Sequence, residues 1–133
     1  YQFFNLIPTL NVEENITLPC ELDGQTVDKK RLDKLIDELG LNGRKTHLPE
    51  ELSGGQQQRV SIGRALINRP AIVLADEPTG NLDKKNSDEI VELLRRANQE
   101  YRQTIIMITH NLEIAKTADR VIVIEDGKII REG

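Results

Sequence analysis

Aromatic side chains are scarce: four in 133 residues, with no tryptophan, and three of them (Tyr1, Phe3, Phe4) crowd the first four positions, leaving only Tyr101 elsewhere. The single cysteine, Cys20, excludes an internal disulfide framework and a cysteine-based zinc site, and fits a reducing compartment. Basic residues are not in excess. Eighteen Lys and Arg against 22 Asp and Glu give a net charge of −4 and a pI near 5.3, so there is no positive field to hold nucleic-acid phosphates or anionic lipid. No stretch approaches the ~18 apolar residues of a membrane span. The start, Tyr-Gln-Phe-Phe, has neither a basic nor an apolar signal region, and it lacks an initiator Met. The length suits one domain burying roughly two-thirds of its unfolded surface, but the aromatic start suggests a piece of a longer chain.

What is present changes character near Pro70. Before it, Pro8, Pro19, Gly24, Gly40, Gly43 and Pro49 punctuate short segments. Leu32, Leu35, Ile36 and Leu39 fall on one helical face, with Asp28 as N-cap and Gly40 past the end, which predicts a helix over 28–39. Ser53 followed by Gln56 reads as a capping box opening a second helix to about Asn68. After Pro70, the runs 71–75, 105–108 and 121–124 are short, mostly β-branched and uncharged, as in strands buried on both faces of a parallel sheet. Helices are predicted over 84–99 and 112–118, and Glu125-Asp126-Gly127-Lys128 is a tight turn into Ile129-Ile130. The fold class is α/β, with a largely helical segment 1–70 attached to part of an α/β core, 71–133.

In a parallel sheet, ligands bind beyond the carboxyl ends of the strands. The first polar residues there are Asp76-Glu77 and Thr109-His110. Asp76 suits a magnesium anchor, because that ion takes one or two carboxylates and completes its shell with phosphate oxygens and water. Glu77 suits a general base that polarises water. His110 can donate to a phosphate oxygen or orient a nucleophile. Ser53-Gly54-Gly55-Gln56 places two glycines in a first helical turn, where free amides and the helix dipole receive an anion and absent Cβ atoms let a phosphate approach. Each cluster also has a plainer reading: a solvated loop, a cap histidine, a simple capping box. His47 reads as surface.

Taken as strings, the clusters resemble a family. Leu52-Ser53-Gly54-Gly55-Gln56-Gln57-Gln58-Arg59-Val60 resembles the signature motif of the ATP-binding-cassette (ABC) ATPases, and Ile72-Val73-Leu74-Ala75-Asp76-Glu77 resembles their Walker B strand. Pro78-Thr79-Gly80-Asn81-Leu82-Asp83 resembles the segment leading into the D-loop, Ile108-Thr109-His110 the switch histidine, and Tyr1-Gln2-Phe3-Phe4-Asn5-Leu6 the Q-loop. Asn5-Leu6-Ile7-Pro8, Val12-Glu13-Glu14-Asn15-Ile16 and Gly80-Asn81-Leu82-Asp83 are similar to the branch holding the lipoprotein-releasing, macrolide-efflux and antimicrobial-peptide-export ATPases and a related cell-division ATPase.

The resemblance implies a partial P-loop NTPase fold using ATP and Mg2+. Asp76 and Gln2 would serve the metal, Glu77 the attacking water and His110 the γ-phosphate, with Gln2 also linking to a membrane partner. Ser53, Gly54, Gly55 and Gln56 would bind the γ-phosphate of ATP held by an opposite subunit, and Asp83 would cross the interface. It implies a homodimer docked on transmembrane permease subunits at the inner face of the membrane, with Phe3, Phe4, Leu6 and Ile7 facing the partner or the subdomain core, and no nucleic acid. The alternatives are a non-transport ABC ATPase of cell division, translation or DNA repair, and a non-catalytic interaction module.

One family motif is absent. A P-loop needs Gly, four residues, then Gly-Lys-Ser/Thr, and here only Gly127 precedes a lysine, with Ile129 next. The 133 residues alone are therefore expected neither to bind ATP tightly nor to hydrolyse it.

Overall fold

The computed structural model describes residues 4–133. The expectations placed on Tyr1, Gln2 and Phe3 lie outside the described residues. In chain order the elements are α1 (Val12–Leu22), α2 (Lys29–Glu38), two 3-10 turns (Asn42–Arg44 and Pro49–Glu51), α3 (Gly54–Leu66), β1 (Ile72–Asp76), α4 (Lys84–Tyr101), β2 (Thr104–Ile108), α5 (Leu112–Ala115), β3 (Ile122–Glu125) and β4 (Lys128–Glu132).

Helix α1 is the element the sequence reading missed, because Pro19 lies inside it. Its start is well specified. Asn11 accepts from the Glu14 amide at 2.9 Å and Glu14 accepts from the Asn11 amide at 2.8 Å, a reciprocal capping box. Val12, Ile16 and Cys20 then form a buried stripe at four-residue spacing. Burying Val12 and Ile16 contributes about 1.5–3 kcal/mol each, enough to offset the roughly 3 kcal/mol that an interior proline costs. The Cys20 thiol donates to the Asn68 carboxamide at 2.8 Å, so this cysteine joins α1 to the end of α3.

Helix α2 begins as expected, with Asp28 accepting from the Lys30 amide at 3.0 Å. It ends in a Schellman motif: the Gly40 amide bonds the Asp37 carbonyl at 2.9 Å and the Leu41 amide bonds the Ile36 carbonyl at 3.0 Å, with Gly40 at φ +67°. Leu41 is fully buried there. Helix α3 packs against α1 at Gly63, where a Cβ would stand 3.1 Å from Ile16 and 2.6 Å from Leu39, the C-cap of α2.

Strands β1 and β2 pair in parallel, with Ile72 opposite Thr104 and Asp76 opposite Ile108. The expectation that these strands are buried on both faces is corrected. Val73 and Ala75 are buried, whereas Ile72, Leu74, Ile106 and Ile108 are 54%, 75%, 51% and 62% exposed. Helical cover lies on one side only among the described residues, so the β-branched run marked a strand without telling how many of its faces are covered. Strands β3 and β4 form a separate antiparallel ribbon rather than extending that sheet, because β3 pairs with β4. Asp126 and Gly127 at the turn both have positive φ, 47° and 73°, the twist of a type I′ hairpin. One core cluster draws on α1, α2, α3, β1 and α4, so segments 1–70 and 71–133 share it.

Candidate functional site

At the carboxyl end of the sheet, the Glu77 amide donates to the Ile108 carbonyl at 2.9 Å and carries the β1–β2 ladder one residue past Asp76. Glu77 itself sits in the left-handed region at φ 45°. A non-glycine residue held there costs about 1–3 kcal/mol. The consequence is directional. The side chain folds back over the sheet edge, and its Oε1 accepts from the His110 backbone amide at 2.9 Å and bonds the His110 Nδ1 at 2.7 Å. The Glu77 side chain is 19% exposed and that of His110 83%. The loop carrying His110 is fixed by its own caps: Thr109 Oγ1 accepts from the Asn111 amide, and Asn111 Oδ1 accepts from the Glu113 and Ile114 amides at the start of α5.

Asp76 is exposed at the same edge, beside Glu77. Among the described residues no group of three or more His, Cys, Asp or Glu can hold a metal ion. A donor set of one or two carboxylates fits Mg2+, which relies on substrate oxygens and water for the remainder of its shell.

The second cluster is the start of α3. Ser53 Oγ accepts from the Gln56 amide at 3.2 Å and Gln56 Oε1 accepts from the Ser53 amide at 2.9 Å, so the expected capping box is present. The amides of Gly54 and Gly55 belong to the first turn, whose donors have no partner within the helix. Their side-chain space differs. A Cβ on Gly54 would make ordinary contacts, 3.6 Å from Phe4 and 3.7 Å from Leu82. One on Gly55 would stand 2.2 Å from Asn86 Oδ1, so the space beside this glycine holds a protein carboxamide rather than room for a ligand.

Asn86 is held in turn by Asp83, the N-cap of α4, whose Oδ1 accepts from both the Asn86 amide (2.9 Å) and its side-chain nitrogen (2.8 Å). These bonds, the backbone one first, hold the Asp83 carboxyl below the usual aspartate range. Ser53, Gly54, Gly55, Gln56 and Asp83 are thus brought together, and Asp76, Glu77 and His110 form a separate group.

Three residues that the sequence reading did not single out organise the surroundings. Asn15, fully buried, accepts from the Ile7 amide and donates to the carbonyls of Ile7, Leu10 and Asn11, which folds the loop before α1 onto the helix. Arg64 on α3 donates to the Asn5 and Phe4 carbonyls and ties down the start of the described chain. Gln58 on α3, 2% exposed, donates to the Pro78 carbonyl at 2.5 Å and joins the two groups. Gln58 stands inside the signature-like string, but nothing in that string marks it as buried or as a partner of Pro78.

Comparison with known proteins shows the family. The family model described as ABC transporter matches residues 1–80. An uncharacterized ABC transporter ATP-binding protein of Escherichia coli K12, YbbA, is 46% identical over 99% of this chain and 59% of its own length. The macrolide export ATP-binding/permease protein MacB of Mannheimia succiniciproducens is 47% identical over 98% of this chain and 20% of its own. A dimeric structure of the ATP-binding cassette MJ0796 in a post-hydrolysis state with ADP and Pi superposes with a TM-score of 0.85 at 40% identity, over all of this chain and 60% of that one. The chain spans about three-fifths of YbbA and of the MJ0796 cassette, and it belongs to the ABC transporter family.

Proposed function

We propose that this chain is the part of an ABC ATP-binding subunit that carries the hydrolytic carboxylate and the face offered to a second subunit. The full-length protein binds and hydrolyses ATP to drive transmembrane permease subunits in export, from the inner face of the membrane. The observation that supports this best is the Glu77–His110 pair. The carboxylate is turned over the sheet edge and held through Oε1 alone, which leaves Oε2 without a partner among the described residues.

Hydrolysis is in-line attack of water on the γ-phosphorus, where positioning and charge stabilisation supply most of the rate. Glu77 Oε2 takes the proton of the attacking water. His110 contacts the γ-phosphate through Nε2. With Nδ1 donating to Glu77, Nε2 donates only from the imidazolium, because a neutral ring has a single N–H. Asp76, with Gln2 as its proposed companion, would hold Mg2+, which would neutralise charge on the phosphate oxygens. The amides and hydroxyl of Ser53, Gly54, Gly55 and Gln56 receive the γ-phosphate of an ATP seated on the opposite subunit, and Asp83 lies at that interface. The dimeric MJ0796 structures support the sandwich, and the naming of MacB as an ATP-binding/permease protein supports the membrane partner. The 133 residues contain no P-loop, so the segment alone is inactive in this account.

The test is assembly. Full-length protein carrying Glu77→Gln, which holds ATP without consuming it, is expected to sediment as a dimer with ATP and Mg2+ and as a monomer with ADP. A monomer in both conditions would contradict the sandwich.

A further inference from the structure

Gln58 raises a question that packing does not answer. It is 2% exposed, its Nε2 donates to the Pro78 carbonyl at 2.5 Å, and its Oε1 has no partner among the described residues. A buried carbonyl oxygen without a donor is costly, so a side chain that keeps one orphaned oxygen while satisfying another calls for an explanation. An apolar residue here would free no net partner, because it would leave the Pro78 carbonyl without the donor Gln58 supplies; what the glutamine adds is a link from α3 to the loop after Glu77. The bond it makes lands on the residue directly after Glu77.

The peptide around Glu77 is held at three points. Its amide is fixed by the Ile108 carbonyl at 2.9 Å, its carbonyl by the Gly80 amide at 3.0 Å, and the next carbonyl, that of Pro78, by Gln58. Of these anchors only Gln58 comes from α3. The helix is a stiff rod of 1.5 Å rise per residue, so the Ser53–Gly55 turn and the Gln58 side chain, little more than one turn apart, move together. Gly55 lies so close to Asn86 that the start of α4 must follow, and α4 bears on the other end of the same loop through Asp83.

We propose that Gln58 is a positioning residue that converts movement of the α3 N-terminus into movement of the Pro78 carbonyl, and so sets where the Glu77 carboxylate points. This rests on the hydrolytic reading above. A phosphate arriving at Ser53–Gly55 from the opposite subunit would then adjust the carboxylate serving this subunit's own nucleotide.

The test uses full-length protein and phosphate release. Gln58→Met removes both the donor and the orphaned oxygen at nearly constant volume. The expected result is a melting temperature within a few degrees of the parent's, since one orphaned oxygen is exchanged for another, KM for ATP within about twofold, and kcat lowered about tenfold or more, since a 1 Å misplacement of a reacting group costs up to about a hundredfold. Gln58→Glu supplies a donor only when protonated, and a buried glutamate is protonated up to about pH 8. Its kcat relative to the parent is expected to fall as pH rises from about 7 to about 9, where that proton is lost. Combined with Ser53→Ala, the loss from Gln58→Met is expected to be less than the product of the single losses.

Parent-like kcat in Gln58→Met, strictly multiplicative losses, or a Gln58→Glu profile parallel to the parent's would overturn the proposal while leaving the hydrolytic reading intact. Should Gln58→Met fold poorly, the Gln58→Glu pH profile decides alone. If Glu77→Gln retains full turnover, the hydrolytic reading fails and the proposal falls with it.

Discussion

Glu77 Oε1 accepts two hydrogen bonds from His110, one from the backbone amide at 2.9 Å and one involving ring Nδ1 at 2.7 Å, across the carboxyl edge of a two-stranded parallel sheet. The backbone bond depends on the main-chain path and persists in any His110 variant. The ring bond depends on the side chain. His110→Ala is therefore expected to keep the fold and melting temperature of the parent while lowering ATP turnover in the full-length protein by about tenfold to a thousandfold, the scale of losing one aligned donor to a developing charge. Steady-state phosphate release alongside thermal melts checks both halves.

The two glycines at the start of α3 separate packing from ligand access. Gly55→Ala drives a Cβ into the Asn86 carboxamide, which Asp83 holds in place, and is expected to destabilise the protein by about 1–3 kcal/mol in denaturant titration. Asn86→Ala in the same chain removes the obstacle, so the double variant is expected to be more stable than the sum of the singles. Gly54→Ala meets only ordinary contacts and is expected within about 0.5 kcal/mol of the parent. Equal losses at both glycines would contradict this division.

Asp83 gives a pH signature at the acid end. Its carboxyl is depressed by the Asn86 backbone and side-chain donors, so the folded state binds fewer protons there than the unfolded state. The cap's contribution is present above the ordinary aspartate value of about 3.9 and is lost as pH falls through the lower folded value. Carbon-detected NMR of the Asp83 carboxyl should titrate below that ordinary value, and Asn86→Ala should move it upward.

Tyr101 gives the opposite signature. Burial, then its hydrogen bonds to Glu38 at 3.0 and 3.1 Å, raise its phenol above the usual tyrosine range. The folded state holds this proton more tightly, so the stability it adds is present below the unfolded tyrosine value of about 10 and is lost as pH rises through the folded value. Tyrosinate absorbance should show a late-titrating group that is absent from Tyr101→Phe and shifted downward in Glu38→Gln.

How much of this was legible in the sequence depended on the range of the interaction. The start and end of α2, the capping box of α3 and the I′ turn at Asp126-Gly127 are set by residues a few positions apart, and each was readable. Helix α1 was hidden because a local rule about Pro19 is overruled by the burial of Val12, Ile16 and Cys20 against other elements. Sheet-edge position pointed to Asp76, Glu77 and His110. The left-handed turn at Glu77 did not show, since no glycine marks it, and neither did the Gln58 bond to Pro78, twenty residues along the chain.

The central claim is that Glu77, turned over the sheet edge by its left-handed backbone, is the base for ATP hydrolysis. The most direct measurement is Mg2+-dependent phosphate release by the full-length protein and its Glu77→Gln variant, in which the amide oxygen can still accept from the His110 amide. The account predicts that the variant keeps ATP binding and the parent's melting temperature but loses about a hundredfold to ten-thousandfold in kcat, the contribution of a positioned general base. Turnover at the parent's rate in that variant would contradict it.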